Sequence, residues 1–308
     1  MPELPEVHTI VTDLKKFIPG LKITDVWTDI PKFKKIKKDV MGKKILGVER
    51  RGKNILIHLS QRSDLKKNPK GLILGKTIIV HQKMTGHLLY GKYQKSNSKF
   101  QKWIPVEPEE LKDPFNRFIH LVFSLSNPSN SSGQAEKHLA LCDMRKFATV
   151  AVIPTEKVSD KFQKMGPEPF DKNFNFKKFS EIIKSKGGKI KSVLMDQGII
   201  AGIGNIYSDE ILWLSGVHPQ RKTSGLKESE LKKIYQAIKP VLKKAIWARG
   251  SSYIDYRDAS GKKGRYQEMQ KAYGLKGQKC KKRGCGGIIE RIIVGGRSAH
   301  FCPKHQIL

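Results

Sequence analysis

The last 29 residues constrain this chain most, because they hold three of its four cysteines. Cys280, Cys285, Cys302 and His305 follow the pattern Cys-x4-Cys-x16-Cys-x2-His. Two close donor pairs separated by a hairpin-length insert suit a tetrahedral ion, since each pair sits on its own tight turn. The insert supports this reading: residues 288–294 and 298–301 read as strands, with Gly295-Gly296 as the turn. Residues 271–308 are therefore expected to form a zinc ribbon holding one Zn2+ through Cys280, Cys285, Cys302 and His305. Four protein ligands close the shell, so the ion is structural and not catalytic. Cys142 competes for the fourth place, but the spacing favours His305. Cys142 ends the apolar run His138-Leu-Ala-Leu-Cys142 and reads as a buried small hydrophobe. The competing reading is a set of unpaired cysteines; their clustering in an intracellular chain argues for metal and against a disulfide framework.

Upstream of the ribbon the periodicity changes twice. Val7, Ile10, Val11, Leu14, Phe17 and Ile18 recur at helical spacing, with Pro5 suited to a first turn and Gly20 to the stop. Residues 23–27, 44–48, 54–59, 77–81, 118–125, 138–142 and 148–153 are short Ile/Val/Leu-rich strands. Polar or Gly/Pro/Ser stretches at 60–71, 93–116 and 127–136 separate them. Many short strands without intervening helices predict an antiparallel sandwich. A linker follows, ending in Met165-Gly-Pro-Glu-Pro169, and then helices at 176–186, 203–213 and 226–248, the last expected to kink or split at Pro240. The expected class is α+β in two domains. An N-terminal helix and sandwich (1–154) leads through a linker (155–169) to a helical domain (170–270) and the ribbon (271–308).

Charge narrows the partner. Lys plus Arg number 60 against 28 Asp plus Glu, a formal net charge of +32. Such an excess favours a polyanion, because each neutralised phosphate releases condensed counterions; the rival is a solvated lysine-rich surface. Lysines are spread along the chain, as at 32–38 and 66–70, so charge alone does not locate a site. No apolar run approaches the ~20 residues of a membrane span. The start MPELPEV is acidic and unlike a secretory signal. The expectation is a soluble intracellular chain with no membrane partner.

Five segments together are similar to the formamidopyrimidine-DNA glycosylases of the Fpg/Nei group. They are Met1-Pro-Glu-Leu-Pro-Glu-Val7, Arg51-Gly-Lys53, Met165-Gly-Pro-Glu-Pro169, Gly202-Ile-Gly-Asn-Ile-Tyr207 and Gly295-Gly-Arg-Ser-Ala-His-Phe-Cys-Pro-Lys-His-Gln306. They keep the family's order and span nearly the whole chain. The resemblance implies a β-sandwich flanked by helices, a helix-two-turn-helix domain and a zinc ribbon, with damaged double-stranded DNA in a cleft between the halves. It also implies a monomeric cytoplasmic enzyme associated with the nucleoid.

The resemblance implies chemistry residue by residue. Met1 is removed and Pro2 becomes the nucleophile. A terminal amine titrates near 8 and keeps a neutral fraction at pH 7 that a lysine, near 10.4, lacks. Its attack on the sugar expels the base, and the resulting Schiff base permits strand cleavage at the abasic site. Glu3 is the implied general acid/base, Glu6 its support, Lys53 a phosphate and proton-transfer group, and Arg297 a phosphate clamp. Asn205 and Asn116 are implied DNA contacts. Met84, Arg145 and Phe147 would fill the gap left by a flipped nucleotide. The bland alternatives are a helix-start proline, first-turn acids on the helix dipole, an ordinary helix cap at Asn205, and core packing for Met84 and Phe147. The polar segment 251–270 would carry a base-capping element. Departures from the family pattern are His8, Asn116, Ala148 and His305, together with long segments at 93–116 and 127–137. The implied activity is excision of 8-oxoguanine and formamidopyrimidines in base-excision repair. Endonuclease VIII-like action on oxidised pyrimidines, a non-catalytic DNA-binding paralogue and a ribosome- or RNA-associated zinc ribbon are the alternatives.

Overall fold

The computed structural model describes residues 1–61, 75–97, 102–127 and 137–308. The lysine run at 66–70 and most of the polar stretches at 60–71 and 127–136 lie outside the described residues. The chain divides into two units, Met1–Gln163 with Arg249–Gly264, and Lys164–Ala248 with Arg265–Leu308.

The first unit opens with α1 (Leu4–Phe17). Its apolar stripe is buried as the spacing predicts: Val7, Ile10, Leu14 and Ile18 are fully covered. Phe17, the weakest member, is 39% exposed and stacks on Tyr90. Two antiparallel sheets follow. One orders β1 (Lys22–Thr28), β7 (Ile119–Ser126), β8 (Lys137–Cys142), β5 (His87–Lys95) and β6 (Trp103–Glu107). The other orders β2 (Ile45–Arg51), β3 (Asn54–Leu59), β4 (Lys76–His81) and β9 (Thr149–Pro154). Short α2 (Ile36–Val40) bridges β1 and β2 in sequence.

Alternation along the strands builds the core. Leu121, Phe123 and Leu125 of β7 and Leu139 and Leu141 of β8 join Ile55, Ile57, Ile78 and Val80 of the other sheet in one apolar cluster with α1. The opposite face of the larger sheet buries Leu89, Tyr93, Val122, Ala140 and Cys142.

Two strands depart from the sequence reading. β5 and β6 occupy part of the stretch read as polar at 93–116. Gly91 and the lysines of His87–Lys95 hide its alternation, and β6 is an edge strand carrying Pro105.

The second unit contains α4 (Phe176–Lys184), α5 (Ile190–Met195), α6 (Asn205–Ser215) and α7 (Glu228–Trp247), after the single-turn α3 (Val158–Lys161) that closes the first. α7 runs through Pro240 as one helix and does not split. Leu231, Ile234, Ile238 and Leu242 are fully buried along one stripe, and that packing holds the helix where local propensity would break it. Strands β10 (Glu290–Val294) and β11 (Arg297–Phe301) form the ribbon hairpin around Gly295-Gly296. The segment read as belonging to the helical domain divides: Arg249–Gly264 packs with the first unit, where Tyr256 and Ala259 enter its core. Among the described residues no helix is long and apolar enough to cross a membrane.

Candidate functional site

In the first unit, Pro2 is buried at the head of α1, beneath a half-exposed Met1. Glu3 caps the helix in an extended conformation, and its N–H donates to Glu6 Oε2 at 2.8 Å. The other oxygen of Glu6 accepts the Ser251 N–H at 2.8 Å. Glu6 therefore fixes the backbone next to Pro2 while holding the returning segment. Gly250 makes this approach feasible: its φ is +82°, and a Cβ there would fall 2.8 Å from Glu6 Oε1. Tyr256 adds its hydroxyl to the Glu6 carbonyl at 3.3 Å.

Lys53 sits in the two-residue turn between Arg51 and Asn54, after Gly52 with φ +57°, and is 5% exposed. His81, paired with Asn54 across β3 and β4, has its imidazole pulled down to about 4 by burial, with Lys83 and Lys53 adding repulsion. It is thus neutral at physiological pH. Its Nδ1 accepts the Lys83 N–H at 3.0 Å, which leaves the proton on Nε2.

Met84, Arg145 and Phe147 lie on two loops that one buried carboxylate ties together. Asp143 accepts the Thr85 hydroxyl, the Arg145 N–H at 3.3 Å and the Ala148 N–H at 2.7 Å. The loops then offer Met84 at 40% and Phe147 at 55% exposure, with the Arg145 guanidinium 5.2 Å from the Phe147 ring centre. Large apolar side chains left exposed beside a cation are costly for a free surface and suited to stacking. Asp143 and Thr85 were not singled out from sequence; their signal was adjacency to the two candidate loops.

Asn116 is fully buried: its Oδ1 accepts from His87 Nε2 and its NH2 donates to the Glu110 carbonyl, both at 3.0 Å. These bonds brace the turn before β7. Ala148, another departure, fits because its methyl packs close to Gly86.

In the second unit, Asn205 opens α6 after a loop held by Gln197. The Gln197 amide accepts the Gly202 N–H and donates to the Ile203 carbonyl, both at 2.8 Å. Asn205 Oδ1 is buried with no hydrogen-bond partner among the described residues. At this helix N-terminus it is the side-chain NH2 and the open backbone N–H groups, not that oxygen, that suit an anion. One turn on, fully buried Asp209 pairs with Lys191 and accepts the His300 N–H at 2.8 Å, joining α5, α6 and β11. Sequence reasoning missed Asp209, a mid-helix acid with no motif of its own. β11 begins with Arg297, exposed at the ribbon turn.

The four ribbon donors lie within 4.8 Å of one another. Cys285 and Cys302 sulfurs are 3.6 Å apart, and His305 Nδ1 is 3.6 Å from the sulfurs of both Cys280 and Cys285. Tetrahedral zinc with Zn–S bonds of about 2.3 Å gives edges near ~3.7 Å, so the donors fit the ion. His305 Nε2 is 3.2 Å from the Trp213 carbonyl, which fixes the proton there and leaves Nδ1 free to ligate. Trp213 Nε1 donates to Cys280 Sγ at 3.3 Å. The protein therefore carries one structural zinc.

A capped helix on a sandwich, followed by a helical unit ending in a zinc ribbon, defines a zinc-finger protein of the helix-two-turn-helix class. Family models agree along the chain: the formamidopyrimidine-DNA glycosylase N-terminal domain matches residues 1–150 and the H2TH domain of the same glycosylases residues 165–256. The zinc finger found in FPG and IleRS matches residues 277–304. Formamidopyrimidine-DNA glycosylases of Pelotomaculum thermopropionicum and Streptococcus mutans are 35% and 36% identical, over 99% of this chain and 99% of each relative. A solved complex of Lactococcus lactis Fpg with DNA containing an abasic site is 33% identical, covers 99% of this chain and all of that one, and has a TM-score of 0.79. The chain belongs to the formamidopyrimidine-DNA glycosylase family.

Proposed function

We propose that this chain excises oxidised purines from duplex DNA and then cleaves the strand, with the amine of Pro2 as nucleophile once Met1 is removed. The observation that carries this reading is the architecture around Pro2. The residue heads a core-packed helix whose next N–H is held by Glu6, and Glu3 follows directly. A solved Lactococcus lactis relative carries Fapy-dG DNA and another an oxidised pyrimidine, so related frames accept both lesion classes.

The chemistry balances without a redox partner. The proline nitrogen forms a bond to C1′ as the bond from C1′ to the base breaks, and Glu3 supplies the proton the departing base needs. Opening of the sugar gives an iminium, which acidifies C2′. Loss of that proton expels the 3′ phosphate and cuts the strand. Lys53 takes part in proton transfer and phosphate contact, while Arg297 and Asn205 hold phosphates. Met84, Arg145 and Phe147 occupy the space of the extruded nucleotide. The zinc has all its places filled by protein and keeps the Arg297 hairpin folded. We further infer that the protein works as a monomer in the cytoplasm, on the nucleoid.

Borohydride trapping tests the reading. Duplexes carrying 8-oxoguanine opposite cytosine should give a covalent adduct through Pro2, absent in Pro2→Gly with Met1 retained. Faster adduct formation on thymine glycol would move the chain to the pyrimidine class. No adduct on any lesion or abasic site would make it a DNA-binding paralogue.

A further inference from the structure

Arg249 is one of three described non-glycine residues with positive φ, at +61°, immediately before Gly250 at +82°. A non-glycine residue in the left-handed region is uncommon and is held there by its surroundings. Here the surroundings do. The guanidinium pairs with Asp13 of α1 and with Asp258, whose side chains are 9% and 1% exposed. Both Nε and Nη2 of Arg249 bond Asp258 Oδ2, at 2.8 and 2.6 Å. The other oxygen of Asp258 accepts the N–H groups of Ser260 and Lys262, both at 2.9 Å, and so shapes the turn that follows.

Asp13 lies seven residues after Glu6, two turns along the same face of α1. That face therefore grips the returning segment twice, by carboxylate to the Ser251 N–H and by carboxylate to the Arg249 guanidinium. Further along, buried Arg257 makes a bidentate pair with Asp113, at 2.9 Å for each oxygen. Between these grips the segment presents Tyr253 and Ile254, 48% and 62% exposed.

We propose that Arg249 is a positioning residue: held between Asp13 and Asp258, it locks the Ser251–Tyr256 stretch to the helix that bears the nucleophile, so that the exposed Tyr253 and Ile254, which the glycosylase reading sets against the base, keep one frame with the attacking amine. The inference rests on the glycosylase reading and deepens it. The lock matters while a damaged base is present and must be held against the amine. It matters little on an abasic site, where no base remains to be positioned.

The test compares single-turnover base release from an 8-oxoguanine duplex with cleavage of a preformed abasic duplex. Arg249→Gly keeps the backbone conformation, since glycine adopts it freely, and removes the guanidinium that pairs with Asp13 and Asp258. Base release should fall about tenfold or more, while abasic-site cleavage changes by less than about threefold. Arg249→Lys, which can reach one carboxylate, should recover part of the loss, and Asp13→Asn should repeat it. A thermal melt accompanies each variant. Equal loss of both reactions, or no loss in either, overturns the proposal. A wild-type protein inactive on both duplexes would instead sink the glycosylase reading itself.

Discussion

Glu6 shows how little a motif says about the work of its residues. The sequence places it in a family signature and suggests support for Glu3. In the structure one buried Glu6 carboxylate accepts two backbone N–H groups, those of Glu3 and Ser251. A Glu6→Gln side chain retains one accepting oxygen and turns its NH2 toward the other N–H. One buried donor is then left without an acceptor, a cost of roughly 1–3 kcal/mol. The expected outcome is a lower melting temperature together with a loss of about tenfold or more in borohydride-trapped adduct. An unchanged adduct rate would mean that the backbone beside Pro2 is set by something else. Asn116 teaches the opposite lesson. Its position in a family tract suggests a DNA contact, whereas its burial rests on His87 and Glu110, which no local pattern links to it.

At the level of elements, regular periodicity was readable and irregular stretches were not. β3 and the ribbon hairpin stand where the alternation and the Gly295-Gly296 turn put them. β6 escaped notice because its edge position admits proline, and β5, an interior strand, because Gly91 and its lysines mask the alternation. The loop pair at Thr85 and Asp143 is likewise a product of tertiary contact, and it yields a prediction. Asp143→Asn replaces an oxygen that accepts a backbone N–H with an NH2 group, so the two loops should separate. We expect about 1–3 kcal/mol of lost stability and weaker binding to a duplex with an abasic-site analogue, with little change for undamaged duplex. Equal weakening on both duplexes would show that the loops do not read the gap. The ribbon gives a second prediction. His305→Ala should lose zinc, measured as metal per chain, and alter Trp213 emission, because Trp213 contacts both Cys280 and His305. His305→Cys should keep the metal, since a thiolate satisfies the same tetrahedron. Retention of full zinc by His305→Ala would remove His305 from the ligand set.

Across the whole molecule, what the sequence could not reveal is the return of Arg249–Gly264 to the first unit. The Arg249–Asp13 pair joins positions 236 residues apart, and no periodicity connects them. The same long-range burial sets the response of the first unit to acid. Burial pulls the His81 and His138 imidazoles down to about 4 and lowers that of His87 as well. In the unfolded chain all three return to about 6.5. Between those limits the unfolded state therefore binds more protons than the folded one, so stability is full above about pH 7 and declines as pH falls toward 4. Asp13, whose carboxyl burial pushes up, acts in the opposite sense nearer the carboxylate range. A test between pH 7 and about 5.5 keeps mainly to the histidines. Each fully titrating histidine contributes a slope of at most about 1.4 kcal/mol per pH unit. His138→Gln should make the decline shallower by up to one such slope in urea unfolding at several pH values. An unaltered slope would show that His138 carries its proton in the fold, and that burial of this histidine does not govern the acid response.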